Sequence, residues 1–255
     1  MHIYSEDQVH TYLNCNTLYF LEGSITDPSV YFSILKYSIH TIYNTFISAN
    51  RINSLDDFVF KIISDSINTH LNTNDYPPNH IVLLKRYLID FFHTLVKWYP
   101  PHKYLPIAVN LEPLYTLQRS SYSSTIDLVF KSKNRKHLHG VVFTQNLDTN
   151  YIYKNPFTYL NLNYLKKYAS FSIKKNLDVF SLHYIKPDPF TIAYSSTKDW
   201  KVTRTILNEK DLTSLNLKYA FNILDNLNFN KLTHKSFCAF TKCKKRKECN
   251  ELRRF

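Results

Sequence analysis

At 255 residues and 44% hydrophobic content, the chain can bury one large core or two modest ones, which excludes a disordered polymer. A formal net charge of +12 and a pI near 9.4 favour polyanionic partners, nucleic acid ahead of acidic membrane surfaces, with solubility alone as the bland alternative. No run approaches the ~18 apolar residues of a membrane span, so no membrane association is expected.

Lys (24) outnumbers Arg (8), and Asn, Ile, Tyr and Phe are abundant beside only two Gly. Turns must therefore rest on Asn, Asp, Ser and Pro, and the bias points to an AT-rich genome of the viral or organellar kind. The opening MHIYSEDQVH has neither a basic n-region nor an apolar h-region. An intracellular protein is expected, in the cytoplasm, nucleus or nucleoid of a cell or host and not secreted, with its four Cys reduced.

The first hundred residues read as helical. Ser5 with Gln8 forms a capping box for a helix running to about Leu21. Tyr31 to Ala49, Leu55 to Leu71 and Ile81 to Tyr99 repeat apolar residues at helical spacing, with Pro77-Pro78 and Pro100-Pro101 as breaks. From Leu105 the texture turns to strands: LPIAVNLEPLYTLQ, TIDLVF and HLHGVVFT, the last two flanking a basic turn as a hairpin. A helix from about Pro156 to Lys175 follows, with Pro in a tolerated first-turn position. LDVFSLHYI, FTIAYSS and WKVTRTIL read as further strands, and a last helix covers about Lys210 to Asn226. No repeat or linker divides the chain. The expectation is one α/β domain over 1–255: a helical part at 1–100, a sheet core at 105–207, and a helix with a Cys-bearing tail at 208–255.

Cys15 stands alone near the start, whereas Cys238, Cys243 and Cys249 crowd into SFCAFTKCKKRKEC. Four thiolates suit an iron–sulfur cluster or a structural zinc, both thiolate-preferring centres. Zinc sites usually come as two close pairs, so one distant Cys and a closing trio favour the cluster. Either centre would staple the chain ends together.

These features together resemble the iron–sulfur branch of the PD-(D/E)XK nucleases, which includes CRISPR-associated exonucleases and the nuclease domains of AddB- and RecB-like proteins. YLNCNTLYFLEG is similar to the family's opening helix with its first Cys. LKYSIHTIYNTF looks like the helix presenting a metal-binding His, here His40. LPIAVNLEPLYTLQ is like the first sheet strand, with Glu112 at a commonly acidic place. STIDLVF resembles the Gly-x-Ile-Asp strand, with Ser123 or Ser124 near the Gly position and Asp127 as the metal-binding acid. HLHGVVFTQN stands where the family has Asp/Glu-x-Lys, and LNYLKKYASF fits the Gln-x-x-x-Tyr helix with Tyr168 matched. The resemblance implies a mixed central sheet flanked by helices, a C-terminal cluster-binding tail and a 4Fe-4S cluster on Cys15, Cys238, Cys243 and Cys249. The trio departs from the family's Cys-x2-Cys-x5-Cys by two residues in its first gap.

The larger departure lies in the active strand. Val142, Phe143, Thr144 and Gln145 occupy the places of the second acid and the Lys, and Tyr164 that of the Gln. One carboxylate and one imidazole make a poor Mg²⁺ site, because that ion favours oxygen ligands and dehydrates reluctantly. Asp127 and His40 are then vestiges of a site, and His40 reads equally as a half-buried helix histidine bonded to a neighbour. A rescue would draw on Asp148 and on Lys166 or Lys167, and only an active enzyme would need Mg²⁺. Phosphate affinity needs none of this. Lys131, Lys133, Arg135 and Lys136 in the hairpin turn, Lys166 and Lys167, and Lys244, Lys245, Arg246 and Lys247 in the tail are the candidate contacts. The expectation is a DNA-binding, cluster-bearing, catalytically degenerate nuclease fold inside a larger DNA-processing, replication or transcription complex. Two alternatives stand beside it: an active Mg²⁺-dependent deoxyribonuclease with a rearranged site, and a structural subunit whose basic surface meets an acidic protein.

Overall fold

The capping box at the N-terminus forms as the sequence predicts. Ser5 N donates to Gln8 Oε1 at 2.9 Å, and Gln8 N donates to Ser5 Oγ at 3.2 Å. Two of the four orphan donors of the helix start are thereby satisfied. The computed structural model describes residues 3–14, 30–48, 55–71, 78–117, 120–134, 137–144, 149–172, 179–187 and 203–227. The predicted strand FTIAYSS, the predicted extension of the first helix towards Leu21, Asp148 and the cysteines lie outside the described residues.

Helix α1 is Glu6–Asn14, α2 Val30–Ser48, α3 Leu55–His70 and α4 Pro78–Trp98. The long helices match the apolar spacing because their apolar positions are the buried ones: Ile34, Leu35, Ile39 and Ile42 on α2, and Leu84, Leu88, Phe91, Phe92 and Leu95 on α4. Helix α5 is Thr149–Lys154 and α6 is Pro156–Ser172. Helix α7, Ser214–Asp225, is capped by Thr213, whose side chain accepts from Asn216 N at 3.1 Å.

The strands are β1 Ile3–Ser5, β2 Tyr104–Leu111, β3 Leu114–Thr116, β4 Ser121–Ser123, β5 Ile126–Ser132, β6 His137–Phe143, β7 Val179–Lys186 and β8 Thr203–Asn208. The fold class is mixed α/β. Five strands form one sheet in the order β2-β5-β6-β7-β8, with β6 and β7 parallel and the other pairs antiparallel. A second, three-stranded sheet runs β1-β4-β3, with β1 parallel to β4. The run LPIAVNLEPLYTLQ therefore divides between two sheets. Its break follows Asn110, whose φ of 50° lies in the left-handed region that Asn tolerates, and precedes Pro113.

Helices pack on both faces of the main sheet. Leu128, Phe130, Val141 and Phe143 face the layer of α2, α3 and α4. Val129, Leu138, Val142 and Leu182 face Leu162 and Leu165 of α6. The alternation slips at the head of β5, where Ile126 joins the α6 side although Leu128 and Phe130 face α2. The ladder pairs Val109 with Leu128 and Leu111 with Ile126, so left-handed Asn110 stands opposite Asp127 at this irregular point. Close packing also fixes Gly140 on β6: a Cβ there would lie 2.5 Å from Leu165 Cδ1 and 3.0 Å from Leu182 Cδ1. Among the described residues no helix is long and apolar enough to cross a membrane.

Candidate functional site

Asp127 is a fully enclosed carboxylate (0% exposed). Its Oδ1 lies 3.0 Å from Lys36 Nζ and 3.1 Å from His40 Nε2, and its Oδ2 accepts from Phe143 N at 2.6 Å. Lys36 and His40 stand four residues apart on α2, so one helix face delivers both to the head of β5. Burial alone would push the Asp127 carboxyl up. The Lys36 charge, the His40 contact and the Phe143 N–H outweigh it and hold the group below the ordinary carboxylate range. Lys36 responds in kind: burial disfavours its charge, but Asp127 overcomes that and raises its pKa.

The structure thus brings His40 and Asp127 together and adds a lysine that sequence reasoning did not single out. The signal was legible in LKYSIHTIYNTF, where Lys36 precedes His40 by one helical turn. Glu6 was missed as well, because it reads as an ordinary first-turn acid after the capping Ser. It accepts from Asn155 Nδ2 at 2.6 Å, and burial, with smaller contributions from Asp7 and Asp127, pushes its carboxyl up to about 7. Its exposed area is intermediate, yet its carboxyl is surrounded closely enough by protein for desolvation to be the leading effect.

On β6, Phe143 turns its ring to the α2 side, 6.5 Å from the His40 ring and 5.5 Å from Phe91, while its N–H holds Asp127. An apolar ring therefore occupies the side of the strand that faces the acid. Val142 points the other way, into the α6 core. The residues present do not fit a Mg²⁺ ion. Among the described residues no group of three or more His, Cys, Asp or Glu is placed to hold a metal, and an ammonium already lies against the Asp127 oxygen. The hard dication would need about six oxygen ligands at about 2.1 Å.

The other predicted residues fall elsewhere. Lys166 and Lys167 are exposed on α6, the layer opposite α2. Tyr168 stacks on Tyr164, with ring centroids 6.2 Å apart. Glu112 is exposed in the loop after β2 and accepts from Asn110 Nδ2 at 3.1 Å. Ser124 is buried and donates to Asn161 Oδ1 at 2.5 Å. Lys131, half-buried near the far end of β5, and Lys133, exposed just past it, lie about 13 and about 20 Å along the chain from Asp127. Gln145, Asp148, Arg135, Lys136, Cys15, Cys238, Cys243, Cys249, Lys244, Lys245, Arg246 and Lys247 lie outside the described residues.

That far end holds an open cavity of about 300 Å³ lined by Lys103, Tyr104, Ser132, Asn134 and His137. Beside it runs a buried polar chain. Tyr99 Oη meets His183 Nδ1, Ser181 Oγ lies 2.7 Å from His183 Nε2, and the same Oγ lies 2.7 Å from His139 Nδ1. Burial, then neighbouring positive charge, lowers His139 to about 4 and His183 to about 3, so both are neutral at pH 7.

Comparison with known proteins adds no relative: no family model matches the chain, and no curated protein matches its sequence.

Proposed function

We propose that the chain is a DNA-binding protein on a PD-(D/E)XK nuclease-like scaffold that has no nuclease activity, carries a 4Fe-4S cluster on its four cysteines, and acts as a subunit of a larger DNA-processing, replication or transcription complex. The observation that carries this reading is the state of Asp127. It is sealed from solvent, paired with the Lys36 ammonium and bonded to His40, with Phe143 standing on the β6 face where a second acid would be needed. Two-metal or single-metal phosphodiester hydrolysis needs open ligand positions on several oxygen donors, and the two oxygens of Asp127 are already engaged by Lys36, His40 and Phe143 N. The net charge of +12 supports the DNA part, with Lys133, Lys166 and Lys167 among the exposed cations.

A second reading has one observation on its side. Glu6 and Lys36 are close enough to Asp127 to shift one another's charge, so an acid and a lysine do stand near the vestigial site. On that reading the chain is an active Mg²⁺-dependent deoxyribonuclease with a rearranged centre.

Salt titration of binding to a short DNA duplex and to a single strand tests the leading proposal. Three or four phosphate contacts on duplex predict a loss of about 40- to 150-fold in affinity between 50 and 200 mM salt. An affinity indifferent to salt would instead favour the structural subunit with an acidic protein partner.

A further inference from the structure

The open cavity at the far end of β5 is lined by hydrogen-bond donors and by no acid. We propose that it is a phosphate site, built to take a phosphate monoester: a free mononucleotide or the phosphorylated end of a nucleic-acid strand. It stands apart from Asp127, and its lining is the same whether or not the chain grips DNA elsewhere.

Lys103, Tyr104, Ser132, Asn134 and His137 each carry a side-chain donor, and the lysine gives the wall a positive charge. These donors are uncommitted: among the described residues no hydrogen bond or ion pair engages the side chains of Lys103, Ser132, Asn134 or His137. Ser132 is the telling case. It is only 8% exposed, it lines the cavity, and its hydroxyl has no partner among the described residues. Behind the wall, the His139 ring lies 5.3 Å from Tyr104 and 6.2 Å from His137, and its buried Nε2 is likewise unpartnered among the described residues. The backbone holds the lining in place. Tyr104 pairs with Ser132 across β2 and β5, and Lys133 N donates to Lys103 O at 2.8 Å. The N–H groups of Lys103 and Tyr104 both donate to Pro100 O at 2.9 Å, which ties the turn after α4 to the end of β5. A carboxylate brings two oxygens and one charge to such a wall. A phosphate monoester brings three free oxygens and up to two charges, and charge-assisted bonds to several donors at once. At about 300 Å³ the cavity reaches the lower end of the range for small-ligand pockets, about 300–1,000 Å³, which leaves room for a sugar beside the phosphate.

The test is calorimetric titration with deoxyadenosine monophosphate, and with a short single strand bearing a 5′-phosphate, a 3′-phosphate or hydroxyls at both ends, at one salt concentration. The monophosphate should bind at one site, and deoxyadenosine should not. A phosphorylated end should bind at least about tenfold more tightly than a hydroxyl end, the worth of one charge-assisted hydrogen bond. Saturation by the monophosphate without that preference assigns the pocket to free mononucleotides. Lys103→Gln and Ser132→Ala should each weaken phosphate binding and leave the urea midpoint unchanged, since Lys103 is exposed and the Ser132 hydroxyl bonds no described residue. Lys61→Gln, an exposed change on α3, should alter neither. No saturable monophosphate binding together with no preference for a phosphorylated end overturns the site, and so does binding that both cavity substitutions leave unchanged. Strands that fail to bind while the monophosphate still does would fell the DNA-binding reading and leave the site standing.

Discussion

Replacing Lys36 and Asp127 singly and together measures how far this pair has become structural. At 3.0 Å the gross attraction is about 5–6 kcal/mol at an effective dielectric of about 20, and desolvation of both groups removes part of it. Lys36→Met strands an ionised carboxylate with only His40 and one N–H, and should cost about 3–5 kcal/mol at pH 7. Asp127→Asn should cost less, about 1–2 kcal/mol. The amide oxygen still accepts from Phe143 N, and the partly exposed lysine can swing to water. The double variant strands no charge and should also cost about 1–2 kcal/mol. The singles and the double then differ by a coupling of about 3–5 kcal/mol, read from urea unfolding at constant m-value. Additivity within about 0.5 kcal/mol would refute the pairing as an energetic unit.

Further outcomes follow from other parts of the molecule. Gly140→Ala should destabilise by about 1–3 kcal/mol, because Leu165 and Leu182 are fully buried and have little room to yield; an unchanged urea midpoint would contradict the packing. His139 and His183 are held neutral, so the unfolded chain takes up their protons first. Their contribution is whole above about pH 6.5 and falls as the pH drops towards 4, by up to about 1.4 kcal/mol per unit for each histidine. His183→Gln should flatten that acid limb, and an identical slope would count against it. Glu6 runs the opposite way, since its raised carboxyl contributes fully below about 4.5 and loses its share as the pH rises through about 7. Anaerobically purified protein should be brown, with iron and sulfide in equal amounts; colourless protein with stoichiometric zinc would contradict the cluster.

The long helices were legible in the sequence because each carries an apolar stripe, and the start at Ser5 carries a side-chain cap; the last helix, expected from about Lys210, begins only after Thr213, and the six-residue α5 was too short to show a period. Ile81–Tyr99 was read one turn short, since Pro78 in fact opens α4 from the first-turn position that proline favours. The small β1-β4-β3 sheet was not legible. Its strands are three residues each, too short for any period, and two of them pair across more than a hundred residues. The site was half legible. His40 and Asp127 lie 87 positions apart, and their meeting was anticipated through resemblance to a family fold. Lys36 stood in plain view but carries no mark of burial in the sequence, and Glu6 looked like a helix-start acid. What decides their role is the closeness of α1, α2 and β5, which periodicity does not encode.

The central claim is that the fold persists without the hydrolytic chemistry. Incubating purified protein with single- and double-stranded DNA in Mg²⁺ or Mn²⁺ tests it most directly. Intact DNA is expected in every lane, for wild type and Asp127→Ala alike. Cleavage by wild type that disappears in a folded Asp127→Ala variant would contradict it.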